Sequence, residues 1–155
     1  VHPCSCSPLA LERYRTRLSG PLLDRIDIQV RLQPLPPSML RDDTTGESSA
    51  TVRARVCAAR DRQRARYGGP GLTNASVAMP QLRLSSPLAP AVHGLLLQAL
   101  EQFGLSPRAH DRIWRVSRTL ANLDGAAAIA AEHVAEALQY RYFDEPIAPV
   151  AARFG

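Results

Sequence analysis

From residue 47 onward, every apolar stripe in this 155-residue chain repeats at the helical period and is bracketed by start and stop signals. That pattern restricts the fold to packed helices. Ser48 or Ser49 caps a long helix running to about Arg66, about 27 Å of helix, with a thin stripe of Val52, Val56 and Ala59. Gly68-Gly69-Pro70-Gly71 stops it. Residues 72–87 read as irregular, with one turn of helix over 80–84. A helix over 90–103 gathers Val92, Leu95, Leu96, Ala99, Leu100 and Phe103 on one side, and Gly104 closes it. Ser106-Pro107 opens the next, striped by Ala109, Ile113, Val116, Leu120 and Leu123 and ended by Asp124-Gly125. A last helix over 131–140 uses Val134, Ala137 and Leu138.

The first third of the chain is patterned differently. Ser7-Pro8 starts a short helix carrying Leu9, Leu11, Tyr14 and Leu18, which ends near Ser19-Gly20. Residues 27–32 alternate, with Ile28, Val30 and Leu32 on one face, which predicts a half-buried strand. Pro34, Pro36, Pro37, Asp42, Asp43 and Gly46 mark a connector. The expected division is therefore 1–46, then a helical unit over 47–140, then a tail over 141–155.

All 19 basic residues are arginine. A phosphate-binding P-loop requires a lysine, so this stretch of sequence holds none. The net charge of +5 favours phosphate partners. No run of eighteen apolar residues is present, so no membrane partner is expected. Three cysteines, an odd number, argue against a disulfide framework and for a reducing cytoplasm. Because the chain opens on Val1, it is expected to be a segment of a longer polypeptide.

Arg25 is the first candidate for chemistry. It follows Pro21 and the Leu22-Leu23 pair and sits just ahead of the alternating stretch. A guanidinium keeps its proton and offers a planar fork of donors, which suits charge building on a transferred phosphoryl group. The same residue also suits an ion pair with Asp24 or Asp27 on a surface turn. Arg108 is the second candidate. A cation in the first turn after Ser106-Pro107 is disfavoured by the helix dipole, and a nucleotide phosphate would compensate. Arg112 and Arg115 follow at helical spacing, and Asp111 could instead neutralise the group. The helix over 49–66 is rich in arginine, and Arg53, Arg60 and Arg64 are its candidates for nucleic-acid phosphates, against the alternative of a solvated face. Cys4 and Cys6 form only half of a tetrahedral metal site, Cys57 reads as packing, and the four histidines show no ligand spacing, so no metal is expected. Neither a Ser/His/Asp grouping nor paired catalytic carboxylates appear.

The blocks S-G-P-L-L-D-R-I-D-I (19–28), G-E-S-S-A (46–50), S-P-R-A-H-D-R-I-W-R-V-S-R-T-L-A-N-L-D-G (106–125) and A-E-A-L-Q-Y-R (135–141) resemble the C-terminal part of the magnesium-chelatase-like AAA+ ATPases of the ComM or YifB type. The resemblance implies a mainly α fold: a helical lid bundle preceded by a residual helix and strand of an α/β core. It implies ATP and Mg2+ as cofactors of the full-length parent, neither held tightly by this portion alone. The implied partners are the chain's own N-terminal AAA+ core, neighbouring subunits of a ring (a hexamer), and DNA undergoing branch migration. Arg25 matches the family's arginine finger in L-L-D-R-[IF]-D. Arg108 matches the sensor 2 arginine of S-x-R-A, while Arg115 and Arg118 fall at further family arginines. Some members carry a cysteine pair just ahead of the one here, so Cys4 and Cys6 would be half of a four-cysteine cluster. The rival expectation is a stand-alone helical DNA-binding module.

Overall fold

A computed structural model describes residues 5–17, 22, 25–30, 32 and 46–141. The fold is mainly α, as expected. Of the predicted connector over 33–46 and tail over 141–155, all but Gly46 and Arg141 lie outside the described residues. Among the described residues, six helices follow in order: α1 Pro8–Arg15, α2 Ser49–Tyr67, α3 Met79–Ser85, α4 Pro90–Gln102, α5 Pro107–Leu123 and α6 Ala131–Gln139.

The start signals act as read. Ser7, Ser48 and Ser106 are N-caps, their hydroxyls accepting from the backbone N–H of Ala10, Thr51 and Ala109. Gly68 ends α2 at φ 72°, a left-handed value that suits glycine. α6 is capped differently. His133 accepts the Ala130 N–H on Nδ1 at 2.9 Å, so its Nε2 carries the proton and donates to Asp124 at 3.1 Å.

α5 is the central helix and packs against α2, α4 and α6. Ala109, Ile113, Trp114, Val116 and Ala121 of α5 are buried with Leu82, Leu96, Val134 and Ala137. The Trp114 indole N–H donates to Ser86 O at 3.0 Å, fixing the end of α3 against α5. Leu88 and Ile129 make a single parallel bridge, joining the segments that lead into α4 and α6. Leu95 and Phe103, assigned to the apolar side of α4, are 38% and 54% exposed. α4 is a peripheral helix, and Phe103 is its C-cap, beyond the last helical residue.

Two expectations change. First, α2 buries Ala59, Gln63 and Tyr67, whereas Val52 and Val56 are exposed. Only its second half meets the bundle; every residue over 49–58 is exposed. The join there is polar. Tyr67 donates to Asn74, whose amide donates to Thr119 and whose backbone N–H donates to Gln63.

Second, the strand expected over 27–32 is not formed in its described residues. Ile28, Val30 and Leu32 are 53%, 61% and 88% exposed, and the buried residue is Gln29. The alternation is real, but the bundle takes the opposite face. Gln29 N–H donates to Tyr140 O at 2.9 Å, and Arg141 donates to Ile26 O at 2.9 Å. A strand is defined by ladder bonds to a neighbour, and these bonds go to the end of α6 instead.

Arg118 is 1% exposed with no carboxylate beside it. It donates to Asn122 Oδ1, Ala127 O and Ala126 O at 3.1, 2.9 and 2.7 Å. Burial, with Arg66 nearby, lowers its pKa to about 10, which leaves it charged at neutral pH. Arg62 and Arg66 of α2 donate to the same Asn122, to its O and Oδ1. Three cations thus converge on the C-terminal carbonyl end of α5, where the helix dipole favours them.

Candidate functional site

Arg25 lies in a turn, its backbone N–H donating to Leu22 O at 3.0 Å, and its side chain is exposed. It makes no hydrogen bond or ion pair with any described residue. Asp27, one of the two acids that could have neutralised it, is paired with Arg112 of α5. Arg25 is therefore presented, among the described residues, as an unpaired guanidinium on a segment anchored two residues later.

Arg108 stands in the first turn of α5, also exposed and also without a partner among the described residues. No acidic residue occupies that turn. Asp111, the expected neutraliser, is engaged elsewhere: Arg83 donates to it at 2.7 Å and His110 Nδ1 at 3.0 Å. Burial pushes the Asp111 carboxyl up, but the hydrogen bonds from His110 and Arg83 more than offset this and hold it below its ordinary value.

Two of the three arginines placed on one face of α5 have separate partners. Arg112 takes Asp27, and Arg115 donates to the carbonyls of Asn74 and Ala75, the latter at 3.2 Å. Arg115 is spent on the loop after α2. Of the three, Arg108 alone has no partner among the described residues.

On α2, Arg53, Arg60 and Arg64 recur at spacings of seven and four and share one face. Arg53 and Arg60 have no partner among the described residues, while Arg64 pairs with Asp61 at 2.8 Å. The other flank is occupied, with Arg55 held by Glu47 at 2.8 and 3.0 Å and Arg62 and Arg66 by Asn122.

Sequence spacing missed one constellation. His93 Nε2 lies 3.3 Å from His110 Nε2, and both rings pack on Trp114. With Nδ1–H of His110 donating to Asp111, His110 Nε2 accepts from His93. Seventeen residues and a helix break separate the two, so no local pattern announces the pair. No group of three metal-ligating side chains occurs among the described residues. A groove of about 350 Å³ runs between Asp27–Ile28 and α5, walled by Val116, Leu120, Leu123 and Tyr140. No helix among the described residues is long and apolar enough to cross a membrane.

The family described as magnesium chelatase, subunit ChlI C-terminal, matches residues 46–141, and that described as magnesium chelatase, subunit ChlI, matches residues 1–40. The chain is 41% identical over 141 residues to the YifB protein of Escherichia coli strain K12, covering 90% of this chain and 27% of that protein. It is 40% identical over 136 residues to competence protein ComM of Haemophilus influenzae, covering 87% of this chain and 26% of that protein. The protein Rv2897c of Mycobacterium tuberculosis is 38% identical over 139 residues, 89% of this chain and 27% of its own length. The chain thus spans about a quarter of the length of these relatives. With the family match running through the whole helical bundle and the relatives matching nearly all of the chain, it belongs to the magnesium-chelatase-like family, in its ComM/YifB type.

Proposed function

We propose that this chain is the finger-and-lid portion of an AAA+ motor. That motor hydrolyses ATP with Mg2+ at the interfaces of a homo-oligomeric ring, a hexamer, in the cytoplasm. Its task is DNA branch migration during transformation and recombination. One observation carries this reading: Arg25 and Arg108 are exposed and have no partner among the described residues, while Asp27 and Asp111, which could have neutralised them, are held by Arg112 and Arg83. A free guanidinium suits the phosphates of ATP, and the chain contains no lysine to cradle them. The nucleotide and its metal are gripped by the AAA+ core of the same polypeptide. What the chain supplies is charge at the γ-phosphate: Arg25 on a neighbour's nucleotide, and Arg108 as the lid arginine. Arg115 is withdrawn from this role, since it holds the loop at Asn74 and Ala75.

The test is Arg108→Ala in the full-length protein. Loss of a hydrogen bond to a charged group, about 1.5–3 kcal/mol, should cut kcat/KM for ATP by about 10- to 150-fold. Wild-type kcat/KM in a folded variant removes Arg108 from the site.

A second reading, that α2 contributes to DNA binding, is favoured by the face shared by Arg53, Arg60 and Arg64 on a helix whose first half stands in solvent. Replacing all three with alanine should reduce the slope of log K against log[salt] for duplex DNA by about 3. An unchanged slope assigns this face to solvent.

A further inference from the structure

We propose that Arg112 and Arg141 are positioning residues for Arg25, clamping the segment 26–29 onto α5 and the C-terminal end of α6 so that the Arg25 and Arg108 guanidiniums move as one unit. The proposal rests on the reading of Arg25 as a finger. Three separate bonds make the clamp. The Asp27 carboxylate pairs with Arg112, the buried Arg141 guanidinium donates to Ile26 O at 2.9 Å, and Gln29 N–H donates to Tyr140 O at 2.9 Å. They reach the segment through a side chain, a carbonyl and an amide, which fixes both its position and its rotation. Gln29 and Arg141 are 9% and 3% exposed, so two of the three bonds are shielded from water.

The consequence is mechanical. Arg112 is one helical turn from Arg108, and Asp27 is two residues from Arg25. A rotation of the bundle that brings Arg108 toward a phosphate therefore carries the root of Arg25 with it. Such a clamp acts on the geometry of the transition state and leaves ground-state nucleotide affinity alone, because a misplaced finger loses contacts made only as charge develops.

The experiment uses the full-length protein with Asp27→Asn, Arg112→Met and the exchanged pair Asp27→Arg with Arg112→Asp. Three quantities are read: thermal midpoint, hydrogen exchange at the Gln29 amide, and kcat and KM for ATP. Each single variant should speed Gln29 exchange by about fivefold, the scale of one partly exposed ion pair. Each should lower kcat by about 10- to 100-fold with KM changed less than about twofold, as expected when a reacting group is displaced by an ångström. The exchanged pair should recover both readouts to within about threefold. Asp27→Asn is isosteric, so the test survives if Arg112→Met fails to fold. Faster Gln29 exchange with wild-type kcat overturns the clamp as a positioning device and leaves the finger reading standing. Exchange unchanged in both single variants overturns the clamp itself. Should Arg25→Ala retain wild-type kcat, the finger reading and the positioning role fall together, whatever Gln29 reports.

Discussion

Arg25→Ala in the full-length protein is expected to lower ATP turnover by about 10³- to 10⁵-fold, the range over which a trans-acting arginine accelerates phosphoryl transfer. Nucleotide affinity should stay within about threefold, because the side chain meets its target mainly as charge develops on the transferred group. The size of the expected effect follows from how Arg25 is presented. Its side chain is exposed and has no carboxylate to shed first among the described residues, since Asp27 is given to Arg112. Arg25→Lys should recover only a small part of the loss. An ammonium matches the charge but lacks the planar pair of donors that spans two phosphate oxygens. Steady-state turnover and fluorescent-nucleotide titration read the two quantities separately. Turnover within tenfold of wild type in Arg25→Ala would falsify the assignment.

The largest stability effect is expected at Arg118. Arg118→Ala strands two acceptors, Ala127 O and Ala126 O, and leaves Asn122 Oδ1 to Arg66 alone, in a place where the residue they served is 1% exposed. Each stranded buried acceptor costs about 1–3 kcal/mol, and the emptied volume adds a cavity cost. Relief from burying a charge offsets part of this; its pKa, lowered to about 10, shows that burial works against the charged form. A net loss of roughly 2–4 kcal/mol is expected, or about 10–20 °C in Tm for a domain of this size. Arg118→Lys should also destabilise, because one ammonium cannot reach all the acceptors arrayed around the edge of the guanidinium. Thermal melts followed by circular dichroism measure both. A change below about 3 °C in Arg118→Ala would mean that the turn after α5 is held by other contacts.

The helices were legible because their signals are local. Ser48, Ser106 and Gly68 sit within a turn of the groups they satisfy, and the Ala109, Ile113, Val116 stripe lies on one element. What escaped was decided between elements. Ile28, Val30 and Leu32 alternate as a half-buried strand would, yet the bundle binds the Asp27–Gln29 side through Arg112 and Tyr140. Periodicity marks two faces but does not say which one finds a partner. The arginines of α5 behaved likewise. Helical spacing grouped Arg108, Arg112 and Arg115, and only the packing separated the free one from those held by Asp27 and by Asn74 with Ala75. Arg118 and the His93–His110 pair had no local signature. Their partners depend on how α4 and the turn after α5 fold back.

The half-free α2 has a further consequence. Residues 49–58 are all exposed, while Ala59, Gln63 and Tyr67 root the helix on the bundle. Ten residues of helix make a rigid lever about 15 Å long, hinged at that root. A tilt of about 10° there sweeps its tip through about 2.6 Å, a distance comparable to a hydrogen bond. Whatever grips the Ser48 end therefore applies torque to the Tyr67–Asn74–Thr119 bonds and, through α5, to the helix that carries Arg108.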